Sequence, residues 1–240
     1  MVKITIDGRE FEAKEKTKLL EVARAHNISI QTLCAQESVS PYGNCRLCVV
    51  EITTKDGRNR IVPSCISSVE DGLAVKTNSE KVIAERKISI QKLLARAPKS
   101  EVIKEIAKKY GVDSTPLPLE DHQNCVLCSL CTRVCQEVVG VNAISKINRS
   151  TESNALPYTV NFDACIACGS CAYICPTGAI TLIDEGDKRT ISWPYQKKEF
   201  KMTKCKVCGR YYAPTKQLEY MAKKSGQPME FFDNCIDCRP

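Results

Sequence analysis

Residues 2–6 (VKITI) and 9–13 (REFEA) alternate apolar and polar positions on either side of Asp7-Gly8, so the chain opens with two strands joined by a tight hairpin. The following TKLLEVARAHN carries apolar residues at helical spacing, with Thr17 placed to cap it. A cysteine-bearing loop comes next, then a strand from Cys48 to Thr53, a turn at Asp56-Gly57, and strands near 60–64 and 73–77. A hairpin, a helix and further strands over residues 1–78 predict a small α+β domain of β-grasp form, a sheet curled over one helix. Residues 79–110 read as helical, with Ser79 capping a first segment, Pro98 breaking it, Ser100 capping a second and Gly111 ending it. With the proline-containing TPLPLE at 115–120, the stretch 79–120 is expected to be a helical linker or brace.

From 121 to 183 the chain repeats itself. Cys125-x2-Cys128-x2-Cys131-x3-Cys135 is answered by Cys165-x2-Cys168-x2-Cys171-x3-Cys175-Pro176, and each half closes on a short apolar strand, NAISKI or GAITLI. The polar DEGDKRTISWPYQKKEF then reads as a linker over 184–203. It leads to a tail, 204–240, holding Cys205-x2-Cys208 and Cys235-x2-Cys238.

The chain has 16 cysteines, of which 14 lie in such pairs or runs. Cysteines this close in sequence cannot close long loops, so the spacing favours metal or cluster ligation over a disulfide framework. The first ten residues hold no apolar signal core, and no stretch approaches the ~18 apolar residues of a membrane span, so a cytoplasmic location is expected. The formal charge of +7 suggests nucleic acid only while the cysteines count as neutral. Four sites of four thiolates, each with an iron–sulfur core or zinc ion, bring the total to about −1.

In a C-x2-C-x2-C-x3-C run the first three sulfurs fit one cubane, whereas the fourth ligates the other cluster of a two-cluster ferredoxin. The expected [4Fe–4S] ligands are therefore Cys125, Cys128, Cys131 and Cys175 for one centre, and Cys135, Cys165, Cys168 and Cys171 for the other. Zinc knuckles are weighed and set aside, because zinc usually takes paired spacing. Gln136 stands where a proline usually follows, and a longer arm, QEVVGVNAI, makes the two cluster environments unequal.

The first four cysteines, Cys34-x10-Cys45-x2-Cys48-x16-Cys65, form neither a cubane run nor a zinc pair. GNCRLCVVEI, VPSCISSVEDGLAVKTNS and the Arg86 that follows resemble the [2Fe–2S] domain opening the large iron–sulfur subunit of respiratory complex I. The iron–sulfur subunits of NAD-linked hydrogenases and formate dehydrogenases open with the same domain. The resemblance covers about residues 1–183 and implies that Cys34, Cys45, Cys48 and Cys65 hold a [2Fe–2S] cluster. Most of that family next places a [4Fe–4S] segment with one histidine and three cysteines. Residues 79–120 contain no cysteine, and His122 precedes Cys125 by three rather than four. His122 and His26 are accordingly expected to be surface or loop residues, and the relay to be a shortened one. The sequence also ends without the length on which complex I carries a molybdopterin-like domain and some [FeFe] hydrogenases their H-cluster.

The tail cysteines Cys205, Cys208, Cys235 and Cys238, with 26 residues between the two pairs, suit tetrahedral zinc, with a further iron–sulfur cluster as the alternative. The tail is similar to those on hydrogenase-linked ferredoxin-type subunits. No G-x-G-x-x-G or P-loop motif occurs, so neither flavin nor nucleotide is expected on this chain, and two histidines without context offer no catalytic pair. The basic segments QKKEF and MAKKSG read as solvated faces or a docking surface.

The chemistry that remains is one-electron transfer. The resemblance implies a non-catalytic electron-transfer subunit of an NAD(P)-linked oxidoreductase. Its partners would be a flavoprotein NAD(P)H-binding subunit and a hydrogenase or formate dehydrogenase catalytic subunit, and exchange with ferredoxin would suit an electron-bifurcating complex. A free multi-cluster carrier or sensor is a second reading, and a zinc-based nucleic-acid-binding module a third.

Overall fold

The computed structural model describes residues 1–119, 122–146 and 158–239, so the expected domain boundary at 120/121 and the last residue of NAISKI, Ile147, lie outside the described residues. The chain divides into two compact units, Met1–Ser129 and Leu130–Pro240.

In the first unit β1 (Val2–Ile6) and β2 (Arg9–Ala13) form the expected hairpin. Asp7 and Gly8 both take positive φ, 47° and 81°, as a two-residue turn with the sheet's own twist requires. Every second residue of β1, Val2, Ile4 and Ile6, is buried against Leu19 and Val22 of α1 (Leu19–Ala25). With β3 (Val49–Thr53), β4 (Asn59–Pro63) and β5 (Leu73–Lys76) the sheet order is β2-β1-β5-β3-β4. The β1–β5 pair is parallel and the other pairs are antiparallel.

Thr17 does not cap α1; the N-cap is Lys18, and its side chain makes no capping bond. Backbone carbonyls from further along the chain satisfy the helix start instead, with Leu19 and Leu20 donating their N–H groups to Ser67 O and Ser64 O at 2.9 and 3.1 Å. The first turn of α1 is thereby tied to the loop that carries Cys65.

Two helices follow, α2 (Glu80–Arg96) and α3 (Glu101–Lys109). Ser79 Oγ accepts from Val82 N–H as expected, whereas Ser100 occupies the α3 N-cap without a side-chain bond. These helices pack against the sheet domain. Ile90, Leu93, Ile103 and Ile106 share one apolar cluster with Cys34, Cys45 and Leu47, because the helices turn an apolar face to that cysteine loop.

Arg86 of α2 fixes the arrangement. It is 1% exposed, and it donates through Nε to Leu47 O at 2.9 Å and through Nη2 to Val49 O at 2.9 Å and Thr77 O at 3.2 Å. Its guanidinium also lies 5.3 Å from the ring centroid of Tyr110, just past α3.

The second unit begins with α4 (Leu130–Arg133), which continues into a π-helical turn, Val134–Val138. A two-stranded sheet of β6 (Ile144–Lys146) and β7 (Tyr158–Val160) precedes α5 (Ser170–Tyr173). Then β8 (Thr181–Glu185), β9 (Lys188–Trp193), β10 (Gln196–Lys204) and β11 (Tyr211–Pro214) form a sheet in the order β11-β10-β9-β8, and α6 (Thr215–Ser225) completes the regular elements.

The stretch 184–203, read from sequence as a linker, is thus mostly strand. Ile191 and Trp193 alternate inward along β9 while lysines line the outer face of the hairpin, which gave the segment its polar composition. Nor does the tail begin at 204 as a separate piece, since β10 runs through that boundary to pair with β11. Helix α6 reaches back as well: Lys216 Nζ donates to Phe162 O at 2.9 Å, and Tyr220 Oη donates to Val139 O at 3.0 Å.

Replacing Arg86 by Met leaves several buried carbonyls without a donor. Urea unfolding of the anaerobically prepared protein should show a loss of about 3 kcal/mol. Arg86→Lys should recover only part of that loss, since an ammonium cannot reproduce the planar fork.

Candidate metal centres

Cys34, Cys45, Cys48 and Cys65 are all buried, at 1, 7, 1 and 3% exposure. The sulfurs of Cys48 and Cys65 stand 3.3 Å apart, and Cys45 N–H donates to Cys34 Sγ at 3.4 Å. Ser64 locks the two ends of the loop by donating from Oγ and N–H to Cys48 O at 2.8 and 3.0 Å. The Cys48–Cys65 hydrogen bond holds the Cys48 thiol down at about 7 and pushes the Cys65 thiol well up. Cys45 is pushed up by its hydrogen bond with Cys34 and by burial. Four crowded sulfurs with one readily lost proton form a donor set suited to a compact, positively charged core.

The cysteine runs share a backbone signature that spacing alone does not reveal. Leu127 and Ser129 flank Cys128 with φ of 55° and 62°, and Ala167 and Gly169 flank Cys168 with φ of 58° and 82°. Left-handed residues on both sides of the middle cysteine turn the backbone sharply there in each run. A Cβ on Gly169 would meet Leu182 Cδ1 at 2.5 Å, whereas the first run accepts a serine at the equivalent place.

In the second unit Cys135, Cys165, Cys168 and Cys171 line one cavity together with Ala143, Ile191 and Trp193. The last cysteine of the first run therefore joins three of the second. Cys135 reaches the cavity from the π-helical turn, where Val139 N–H donates to Val134 O at 3.0 Å, and its sulfur accepts from Ala143 N–H at 3.2 Å. Burial raises the Cys171 thiol to about 12 and also raises that of Cys165. From β9, Arg189 grips the loop by donating Nη1 to Ala167 O at 3.1 Å, while Nε and Nη2 each donate at 2.7 Å to the Asp184 carboxylate. That ion pair holds the Asp184 carboxyl below its usual range.

Cys125 and Cys128 belong to the first unit and Cys131 and Cys175 to the second; all four are half-buried. Cys128 packs on the apolar cluster that contains Cys34 and Cys45, and the Asn44 side-chain amide donates to the carbonyl of Leu127. His122 is a loop residue but not a surface one: it is 7% exposed, and its backbone N–H donates to Arg96 O at 3.0 Å, which draws the loop against α2. His26 is exposed, its ring centroid 4.5 Å from that of Phe11.

In the tail the sulfurs of Cys205, Cys208, Cys235 and Cys238 all lie within 4.8 Å of one another, with Cys208 and Cys235 at 3.8 Å. Bonds of 2.3 Å to one tetrahedral ion would separate sulfurs by roughly 3.8 Å. Sulfurs around a cubane stand further apart, because the iron atoms occupy the intervening corners. The N–H groups of Cys208 and Cys235 donate to the Cys205 sulfur and hold its thiol at about 6, and Gly209 makes the turn at φ 74°. Hydrogen bonding from Arg210 lowers the Cys208 thiol, whereas the hydrogen bond with Cys235 pushes Cys238 up to about 12.

Sequence reasoning did not single out Asn44, Asp184, Arg189, Trp193 or Arg210. Among them only the lone tryptophan at an alternating position of 188–193 left a trace in the pattern.

Residues 1–80 match the model of a 2Fe-2S iron-sulfur cluster binding domain, and residues 158–181 that of a 4Fe-4S binding domain. The chain thus carries ferredoxin-type domains of both kinds, with mixed α/β content and a cysteine cluster near its C-terminus. It is related to subunits of NAD(P)-linked hydrogenases and of NADH-quinone oxidoreductase and to formate dehydrogenase-like proteins. The NADP-reducing hydrogenase subunit HndD of Solidesulfovibrio fructosivorans is 29% identical over 212 residues, 75% of this chain and 36% of that protein. An NADH-quinone oxidoreductase chain of Rhizobium meliloti is 26% identical over 224 residues, 82% of this chain and 25% of that protein. The chain therefore spans about a quarter to a third of these relatives. The crystal structure of an NAD+-reducing [NiFe]-hydrogenase in the H2-reduced state aligns with a TM-score of 0.53 at 25% identity, covering 62% of this chain and 71% of that one. No helix among the described residues is long and apolar enough to cross a membrane.

In the metal-free chain at pH 7, Cys208 combines exposure with a lowered thiol. Iodoacetamide should modify it ahead of Cys205, Cys235 and Cys238, and Arg210→Ala should slow it several-fold in peptide mass spectrometry.

Proposed function

We propose that the chain is an electron-transfer subunit of an NAD(P)-linked oxidoreductase complex, relaying single electrons between a flavoprotein NAD(P)H-binding subunit and a hydrogenase catalytic subunit. A formate dehydrogenase catalytic subunit would make the same demand on the relay, and ferredoxin exchange would suit a bifurcating complex. The observation that carries the reading is the gathering of Cys135 with Cys165, Cys168 and Cys171 around one cavity, the crossed pattern of a two-cluster ferredoxin. In this reading Cys34, Cys45, Cys48 and Cys65 hold a [2Fe–2S] cluster. Cys125, Cys128, Cys131 and Cys175 hold one [4Fe–4S] cluster, and Cys135, Cys165, Cys168 and Cys171 hold the other.

The bound clusters would supply the one-electron couples. The protein supplies thiolates, apolar walls such as Ile166, Ala167 and Ile191, and N–H donors that offset negative charge on sulfur. For the tail, the 4.8 Å limit on sulfur separation supports a single zinc ion in a structural role.

Cys135→Ser tests the crossed ligation. Electron paramagnetic resonance of the reduced protein should lose the signal of one [4Fe–4S] centre, iron should fall by about four per chain, and the [2Fe–2S] signal should persist. A Cys125→Ser chain should lose a different signal, and loss of the same one in both variants would sink the assignment. Anaerobic isolation of the native assembly tests the partners: mass spectrometry should find a flavoprotein and a hydrogenase- or formate-dehydrogenase-type chain at fixed stoichiometry, and elution of this chain alone would overturn the subunit role.

A further inference from the structure

Trp193 is the only tryptophan in the chain, and it lies on β9, outside the 158–181 segment matched by the 4Fe-4S model. Its side chain is 5% exposed and forms part of the wall around Cys135, Cys165, Cys168 and Cys171. The position is well determined. Trp193 pairs across the β9–β10 turn with Gln196, whose side chain donates to Tyr158 O at 2.8 Å and accepts from Val160 N–H at 3.2 Å. The Phe162 ring packs on the indole at 5.9 Å between centroids.

An indole has one polar atom, and that atom is only a donor. The Trp193 Nε1–H is buried and completes a hydrogen bond to no acceptor among the described residues. Buried donors are nearly always satisfied, so a partner is called for at this point. The sulfurs that share this cavity wall with the indole are those of Cys135, Cys165, Cys168 and Cys171. A neutral thiol is a weak acceptor, whereas a ligating thiolate is a strong one.

We propose that Trp193 is a positioning residue whose indole N–H completes its hydrogen bond on one of these four cysteine thiolates when the [4Fe–4S] cluster is bound, raising that cluster's reduction potential. The inference rests on the ligand assignment proposed above. Reduction places further negative charge on the cluster and its sulfurs, so a donor aimed at sulfur stabilises the reduced form more than the oxidised one. If Trp193 served only to fill space, its ring would matter and its N–H would not.

Because the tryptophan is unique, the test needs no other change to the chain. Protein labelled with 15N at the indole nitrogen and reduced with dithionite should show a 15N coupling on one [4Fe–4S] signal in pulsed electron paramagnetic resonance. That signal without the coupling would overturn the proposal. Trp193→Phe, together with protein in which the tryptophan is replaced by its benzothiophene analogue, removes the N–H, and the analogue keeps the shape. In redox titration both should move the midpoint of that cluster downward, by up to tenfold in the reduction equilibrium or 59 mV for one electron, while the other two midpoints stay in place. An unchanged midpoint in the analogue protein would overturn the proposal even if Trp193→Phe folds poorly. A separate result, loss of a different cluster's signal in Cys171→Ser, would overturn the ligand assignment and the inference with it.

Discussion

Sulfur atoms held within a few ångströms of one another repel as soon as they lose their protons, and an apolar wall makes that charge costlier still. This constraint governs the molecule. It shows in the divided thiols of the first site, with Cys48 lowered to about 7 and Cys65 raised, and in the raised thiols of Cys165 and Cys171. A positively charged metal core would remove the conflict by replacing the protons, which would couple its binding to folding. The elements around each site then read as devices for keeping sulfurs together: the two hydrogen bonds from Ser64 to Cys48 O, the Arg86 grip on Leu47 and Val49, and the Arg189 grip on Ala167.

The two cysteine runs meet this constraint with the same backbone and different endings. After Cys175 comes Pro176, and α5 has already stopped at Tyr173, since a proline ring cannot continue a helix. After Cys135 comes Gln136, no ring blocks the chain, and the helix runs on through a π-helical turn to Val138. The wider turn carries Cys135 to the cavity of the second run and lets Val141 and Asn142 donate their N–H groups back to its carbonyl. The absence of a proline at 136 thus goes with the continued helix and with the unlike surroundings of the two runs.

The parts legible in the sequence are those set by local chemistry. Asp7-Gly8 announces its hairpin because both positions need positive φ, and the cysteine runs announce themselves because sulfur spacing is a local property. What escaped was decided by distant partners. Thr17 looks like a cap, but the first N–H groups of α1 are satisfied by Ser64 and Ser67, some fifty residues on. The 184–203 segment reads as polar linker because lysines crowd one face of its hairpin, and the inward alternation of Ile191 and Trp193 gains meaning only once there is a cavity to wall. His122 looks exposed in a polar loop until its backbone N–H is found on Arg96 O at the end of α2.

Strand β10 carries the last step of this logic. On one side it pairs with β9, which presents Ile191 and Trp193 to the second cysteine cavity, and on the other with β11, which continues into α6. Helix α6 returns a cation to the same neighbourhood, since Lys216 donates to Phe162 O and Asp163 O and its charge partly offsets the burial that raises the Cys165 thiol. Between β10 and β11 sits the knuckle of Cys205 and Cys208, closed from below by Cys235 and Cys238. An ion binding those four sulfurs would fix the β10–β11 turn and with it the register of the sheet behind the cavity. An occupied tail centre would then act as a clasp on the ferredoxin-like unit, and its chemistry would need only be that of a structural ion.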